Sequence, residues 1–394
     1  MYDAIRTQLL DEIAGIKAQG LYKKERILES PQGVTITVQG KQVLNFCANN
    51  YLGLANNLHL VAAAQKTLQN WGYGLSSVRF ICGTQKIHKD LEESLSVFFS
   101  TDDTILYSSC FDANGGLFET LTTEQDAIFT DKLNHASLID GIRLSKATRH
   151  IFEHSDMNDL EEKLKGAAVN RRRIIVTDGV FSMDGEVADL KSICTLAEKY
   201  QALVVVDDSH ATGILGATGR GTPELLGVAD KVDVITSTFG KALGGAVGGF
   251  TTGRKEIIDY LRQRSRPYLF SNSLAPVIVG TTLRVIKMLS QDNSRRLRLQ
   301  ENTTFARQGL IDAGLEIKPG SHPVIPVMLY DAIKTQQIAA QLLELGVYVI
   351  GFFFPVVPMG QARIRVQISA EHTREQLEQM VAAFKQVKNE FLKA

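Results

Sequence analysis

No charge of either sign predominates in this chain of 394 residues, where 43 Lys and Arg face 43 Asp and Glu. Without a global field, nothing draws it onto nucleic acid or an anionic membrane, and any anionic ligand has to be held by local groups. Cysteine is scarce as well. Cys47, Cys82, Cys110 and Cys194 include no Cys-x-x-Cys pair, which argues against a zinc ribbon or a redox motif. A chain of this length hides roughly three quarters of its unfolded surface, so disulfides are not needed. Buried, free thiols in a reducing compartment are the expectation. No apolar run reaches the roughly 18 residues of a membrane span. Residues 1–20 carry Asp3, Asp11 and Glu12 and no apolar stretch, unlike a secretory signal or a good transit peptide, so the cytoplasm is expected. Repeats and low-complexity linkers are missing too.

Periodicity is what the chain does have. Ile5, Leu9, Ile13 and Ile16 fall on one stripe of a helix predicted over residues 2–19. Two short strands flank Gln39-Gly40 as a hairpin. From residue 104 onward, near-continuous apolar runs (104–107, 126–130, 150–152, 173–177, 202–206, 232–235) alternate with helix-length segments. That is the pattern of a mostly parallel sheet covered by helices on both faces. Beyond residue 273, long helices and a few strands predict a smaller C-terminal α+β domain. The expected division is 1–46 (helix and hairpin), 47–285 (large α/β domain) and 286–394 (α+β domain).

Ligands bind at the carboxyl ends of parallel strands, and several predicted ends carry chemistry. Val206 is followed by Asp207-Asp-Ser-His210. A carboxylate ending a buried strand needs a charged or donor partner, and a protonated pyridine nitrogen is one; Asp207 would keep it protonated. An Asp capping the next turn, or an Asp-x-x-His metal pair, is the competing reading. Ile235 is followed by Thr236-Ser-Thr238-Phe-Gly-Lys241-Ala-Leu-Gly-Gly, where a desolvated lysine could attack an aldehyde and the hydroxyls of Ser237 and Thr238 could meet a phosphate. A P-loop does not fit, because Ala242 follows the lysine and Ile235 replaces the first glycine. Tyr107 is followed by a turn through Cys110-Phe111 into a helix, a potential anion site. His135 follows the run ending at Thr130 and could stack on a ring; Ser182 follows the run ending at Thr177.

The order of these pieces, together with Phe46-Cys-Ala-Asn-Asn-Tyr-Leu-Gly-Leu54, Ser77-Val-Arg-Phe-Ile-Cys-Gly-Thr84, Tyr107-Ser-Ser-Cys-Phe-Asp-Ala-Asn-Gly115 and Gln263-Arg-Ser-Arg-Pro-Tyr-Leu-Phe-Ser-Asn272, resembles the α-oxoamine synthases, a family of fold-type I enzymes that use pyridoxal 5′-phosphate (PLP). The resemblance covers nearly the whole chain and lies closest to the branch that joins glycine to acetyl-CoA reversibly, in threonine degradation. It implies PLP attached to Lys241 as a Schiff base, Asp207 on the pyridinium, and His135 stacked on the ring. It further implies Ser182 and His210 at the phenolic oxygen, with Cys110, Phe111 and Thr238 at the phosphate. Ser271 and Asn272 resemble a segment that enters the partner subunit's site, so a homodimer is implied. Arg365, by itself a surface arginine on a strand, resembles the clamp for the amino acid's carboxylate; Asn49 is a lesser candidate. No metal site is expected. Related synthases with other amino acids and acyl-CoAs, and a non-catalytic partner subunit of the same fold, are the alternatives; the latter should lack the lysine.

Overall fold

The computed structural model describes residues 2–391. Its contacts cluster into two units. The larger comprises residues 49–182 and 186–298; the smaller comprises 1–48, 183–185 and 299–394. The predicted N-terminal segment thus falls with the C-terminal one, and the boundary lies inside the helix Ser294–Asp312 rather than at residue 286.

A seven-stranded sheet organises the larger unit. Its strands are β1 (Asp103–Tyr107), β2 (Ala127–Asp131), β3 (Thr148–Phe152), β4 (Arg173–Asp178), β5 (Leu203–Asp207), β6 (Val234–Thr238) and β7 (Gly249–Gly253), in spatial order β1-β7-β6-β5-β4-β2-β3. β7 alone runs antiparallel to its neighbours. Strands β2, β4, β5 and β6 are almost wholly buried, which is why they read as unbroken apolar runs. Alternate residues serve opposite faces. Ile105, Tyr107, Ile174, Val176, Val205 and Val234 pack with Leu117, Phe118, Leu138, Ile142 and Leu261 from three helices. Leu106 and its partner Phe250 point the other way, where Phe250 meets Phe99 at the end of the helix Lys86–Phe99. The sheet therefore carries helices on both faces, as expected.

In the smaller unit, the hairpin Thr35–Val38 and Lys41–Asn45 turns on Gln39 and Gly40, both at positive φ, and Val347–Tyr348 joins it as a parallel neighbour. A second sheet orders Val324–Tyr330, Ala362–Gln367 and Gly351–Phe352. The helix Tyr2–Ala18 forms as predicted, yet none of its residues is buried; its apolar stripe stays 38–54% exposed. All four cysteines are free, but only Cys110 and Cys194 are buried; Cys82 is exposed.

Candidate active site

Five parallel strands end on one cavity in the larger unit. Each end contributes what the chain places just after its last apolar residue.

After β1, Ser109 caps the helix Cys110–Leu121, its Oγ accepting the Asp112 N–H at 3.0 Å. The N–H groups of Cys110 and Phe111 are left outside the helical ladder, so the positive end of the helix opens toward the cavity. β7 lies directly against this turn. A Cβ at Gly249 would sit 2.3 Å from the Cys110 nitrogen, so only glycine lets the two backbones approach this closely. The Cys110 sulfur serves another end of the site. It lies 3.7 Å from Asp207 Oδ2 and accepts the Ser209 hydroxyl at 3.3 Å. Burial, and then the Asp207 charge, hold this thiol well above its ordinary pKa, so it is a neutral group and the main chain of Cys110 is what faces an anion.

After β5, Asp207 is 5% exposed. Its Oδ1 accepts the Ser209 N–H at 3.0 Å and its Oδ2 accepts an Asn114 N–H at 2.7 Å. Strand alternation sends Asp208 away from the cavity, where it accepts the Thr222 N–H at 3.0 Å; burial pushes its pKa up to about 7. His210 returns to the cavity and stands 2.8 Å, through Nδ1, from the buried Tyr51 hydroxyl. Asn49 reaches that hydroxyl at 3.5 Å. After β2, His135 caps the helix Ala136–Leu144 and accepts the Ser137 N–H on Nδ1 at 3.2 Å. Burial lowers its pKa, the Asp207 charge opposes this and the Lys241 charge adds to it, and the net result is a neutral ring. β4 ends on Asp178, and Ser182 follows it onto the cavity. Asp178 accepts the His135 N–H at 2.9 Å, and burial followed by the Asp207 charge keeps its carboxyl well above the usual range.

After β6, Thr238 and Lys241 line the cavity. Gly244 and Gly245, both at positive φ, turn the chain from this loop back into β7. Ser237 is one residue out of phase. It is fully buried and donates to Thr212 Oγ1 at 2.9 Å, so the strand leaves Thr238 as the hydroxyl facing the cavity.

The structure therefore gathers Cys110, Phe111, His135, Ser182, Asp207, His210, Thr238 and Lys241 on one cavity. Ser271 lies outside its lining, 3.4 Å from Ser108 Oγ of the same chain, and Asn272 lies outside it too. Arg365 belongs to the smaller unit, where it is buried rather than on the surface, with its guanidinium over the Phe352 ring at 4.7 Å. Sequence reasoning assigned no role to Asp178, Ser137, Ser209, Tyr51 or Asn114. Asp178 had a signal, since it ends a buried strand in register with Asp207; Tyr51 and Asn114 had none.

The donor set suits PLP. A helix N-terminus and a hydroxyl match a phosphate, one amine matches an aldehyde, a buried carboxylate matches a pyridinium, and a flat neutral imidazole matches a ring face. Fold and cavity together define a PLP-dependent enzyme of fold type I. The family model for aminotransferase class I and II matches residues 41–384, and the chain belongs to that family. It is 55% identical over 383 residues to the 2-amino-3-ketobutyrate coenzyme A ligase of Escherichia coli strain K12, covering 96% of each protein. It is 53% identical to the mitochondrial 2-amino-3-ketobutyrate coenzyme A ligase of Mus musculus, covering 97% of this chain and 92% of that one. Among solved structures it resembles the serine palmitoyltransferase of S. paucimobilis with a bound PLP–myriocin adduct, with a TM-score of 0.93, 28% identity and 98% coverage of both chains. The α-oxoamine synthase resemblance read from the sequence holds. No described helix is long and apolar enough to cross a membrane.

Proposed function

We infer that this enzyme has glycine C-acetyltransferase activity, joining glycine to acetyl-CoA to give 2-amino-3-oxobutyrate and CoA, reversibly. The observation that carries the reading is the pairing of Lys241 with a buried Asp207 on one cavity, in a chain 55% identical to a 2-amino-3-ketobutyrate coenzyme A ligase.

PLP, when bound, supplies an electron sink for the charge left on the amino acid's Cα. The chain's residues do the rest. Lys241 Nζ is the covalent anchor for the cofactor's aldehyde and, once released, the base that takes a proton from Cα of glycine. Asp207 stabilises a proton on the ring nitrogen through its charge. His135 covers one ring face and is neutral, so it adds no cation beside that nitrogen. The Cys110 and Phe111 N–H groups hold the phosphate. Thr238, whose hydroxyl now donates to the Gly248 carbonyl at 3.2 Å, turns that proton to a phosphate oxygen. Ser182 and His210 hold the phenolic oxygen, with Tyr51 fixing the His210 ring. Arg365 takes the glycine carboxylate in its bidentate fork, and Asn49 is a substrate contact.

The chain acts as a homodimer in which Ser271 and Asn272 enter the partner's site. The uncovered stripe of the helix Tyr2–Ala18 supports a second copy as the missing neighbour, since contiguous exposed apolar surface marks an interface. The cytoplasm is the proposed location. A panel of glycine, alanine and serine against acetyl-, succinyl-, pimeloyl- and palmitoyl-CoA, scored by thiol release, tests the substrate assignment. Glycine with acetyl-CoA should give the highest kcat/KM, and a longer acyl chain or another amino acid in first place would overturn it.

A further inference from the structure

One buried amide touches two residues that line the cavity, Asp207 and Ser137. Asn114 is fully buried in the helix Cys110–Leu121 and does not line the cavity. Its Nδ2 lies 2.7 Å from Asp207 Oδ2 and 2.9 Å from Ser137 Oγ. An amide nitrogen carries two protons; these two oxygens are its near acceptors, and the Cys110 sulfur stands farther off at 3.8 Å. Flipping the amide would set an oxygen against the Asp207 carboxylate, so the neighbours dictate its orientation. The cost of that orientation is visible, since Asn114 Oδ1 is buried without a hydrogen-bond partner. An unsatisfied buried carbonyl that persists calls for an explanation, and the two contacts of the NH2 group supply it.

The consequence runs further. Ser137 Oγ accepts from Asn114, so its own proton goes to His135 Nδ1, 2.8 Å away. Nδ1 is then an acceptor, twice over with the Ser137 N–H, and a neutral imidazole carries its proton on Nε2. Asp178 holds the same residue from behind through the His135 N–H.

We propose that Asn114 is a positioning residue that sets, through one amide group, both the orientation of the Asp207 carboxylate and, by way of Ser137, the tautomer of His135. The proposal rests on the PLP reading above. It assigns Ser137 the linking role and explains why a helix that starts at the phosphate end also reaches the pyridine end: the amide sits one turn in from Cys110.

Asn114→Ala and Ser137→Ala test it, with thermal melting and circular dichroism to establish that each folds. The first readout is the pH titration of the near-ultraviolet and visible absorption of PLP added to the protein. The others are PLP affinity and the kcat and KM profiles against pH. Asn114→Ala is expected to shift the absorbance titration, weaken PLP about tenfold, and lower kcat more than tenfold while both KM values change less than threefold. Ser137→Ala leaves the Asp207 bond in place and removes the hydroxyl proton from Nδ1. Nδ1 then takes a proton more readily, favoured by the Asp207 charge and opposed by that of Lys241, with Asp178 on the main-chain N–H of His135, and the acid limb of kcat moves to higher pH. Folded variants with the wild-type absorbance titration and an unmoved acid limb would overturn the proposal. A wild-type protein that develops no absorbance with PLP would sink the reading beneath it instead.

Discussion

At the scale of single residues, the site depends on two kinds of position, those that carry charge and those that make room for it. Asp207 is the first kind. Asp207→Ala removes a charge-assisted hydrogen bond worth about 1.5–3 kcal/mol, so PLP should dissociate roughly 10- to 100-fold more readily, and turnover should fall further because the ring nitrogen loses its counter-charge. Fluorescence titration with PLP, read beside steady-state rates, checks this; near-normal turnover would contradict it. Gly249 is the second kind. Gly249→Ala drives a methyl group into the Cys110 main chain, and overpacking of this sort costs about 1–3 kcal/mol. The urea midpoint should drop and PLP affinity with it; a midpoint unchanged by the substitution would mean that strand and helix separate at no cost. Asp207 and Lys241 were legible in the sequence because each lies just beyond an apolar run. Asn114 and Tyr51 were not, because a mid-helix asparagine and a loop tyrosine have meaning only through partners 93 and 159 residues away. Ser237 and Thr238 looked alike in sequence, and strand alternation separates them.

At the scale of elements, the buried parallel strands declared themselves and β7 did not. Gly249-Phe-Thr-Thr-Gly253 has one large apolar residue, and its place between β1 and β6 is set by pairing and by the close approach at Gly249. The helices Leu58–Trp71 and Lys86–Phe99 went unassigned for a related reason. They lie before the alternation begins, where nothing local distinguishes a sheet-covering helix. One cluster ties several elements at the carboxyl edge of the sheet. His154, after β3, lies 3.0 Å from Asp131 at the end of β2 and 3.3 Å from Glu186, beside the short hairpin whose first arm carries Val180 and Phe181. Burial opposes its charge, but the bonds to Asp131 and Glu186 bring its pKa up to about 9. A pKa raised in the folded state gives stability that is complete below the ordinary value of 6.5 and lost as pH climbs through about 9. The gap in urea midpoint between wild type and His154→Gln should accordingly be widest below pH 6.5 and close by about pH 9; a gap that holds constant over that window would show that the imidazole is not charged.

At the scale of the whole molecule, the contacts divide the chain differently from the expected three parts, because the hairpin Thr35–Asn45 pairs with Val347–Tyr348, 300 residues on. No local composition announces such a pairing. Assembly belongs to this scale too. Leu9→Glu with Ile13→Glu places two charges on the uncovered stripe of the first helix, and burying unpaired charge is strongly unfavourable. Sedimentation velocity should show a dimer turning into monomer, with activity falling in step; a fully active monomer would contradict the shared site. The account as a whole rests on one covalent attachment. Borohydride reduction of the protein after incubation with PLP, followed by proteolysis and mass spectrometry, reads that attachment directly. The phosphopyridoxyl group should be found on Lys241 in the peptide that follows β6, and its appearance on another lysine, or on none, would contradict the assignment.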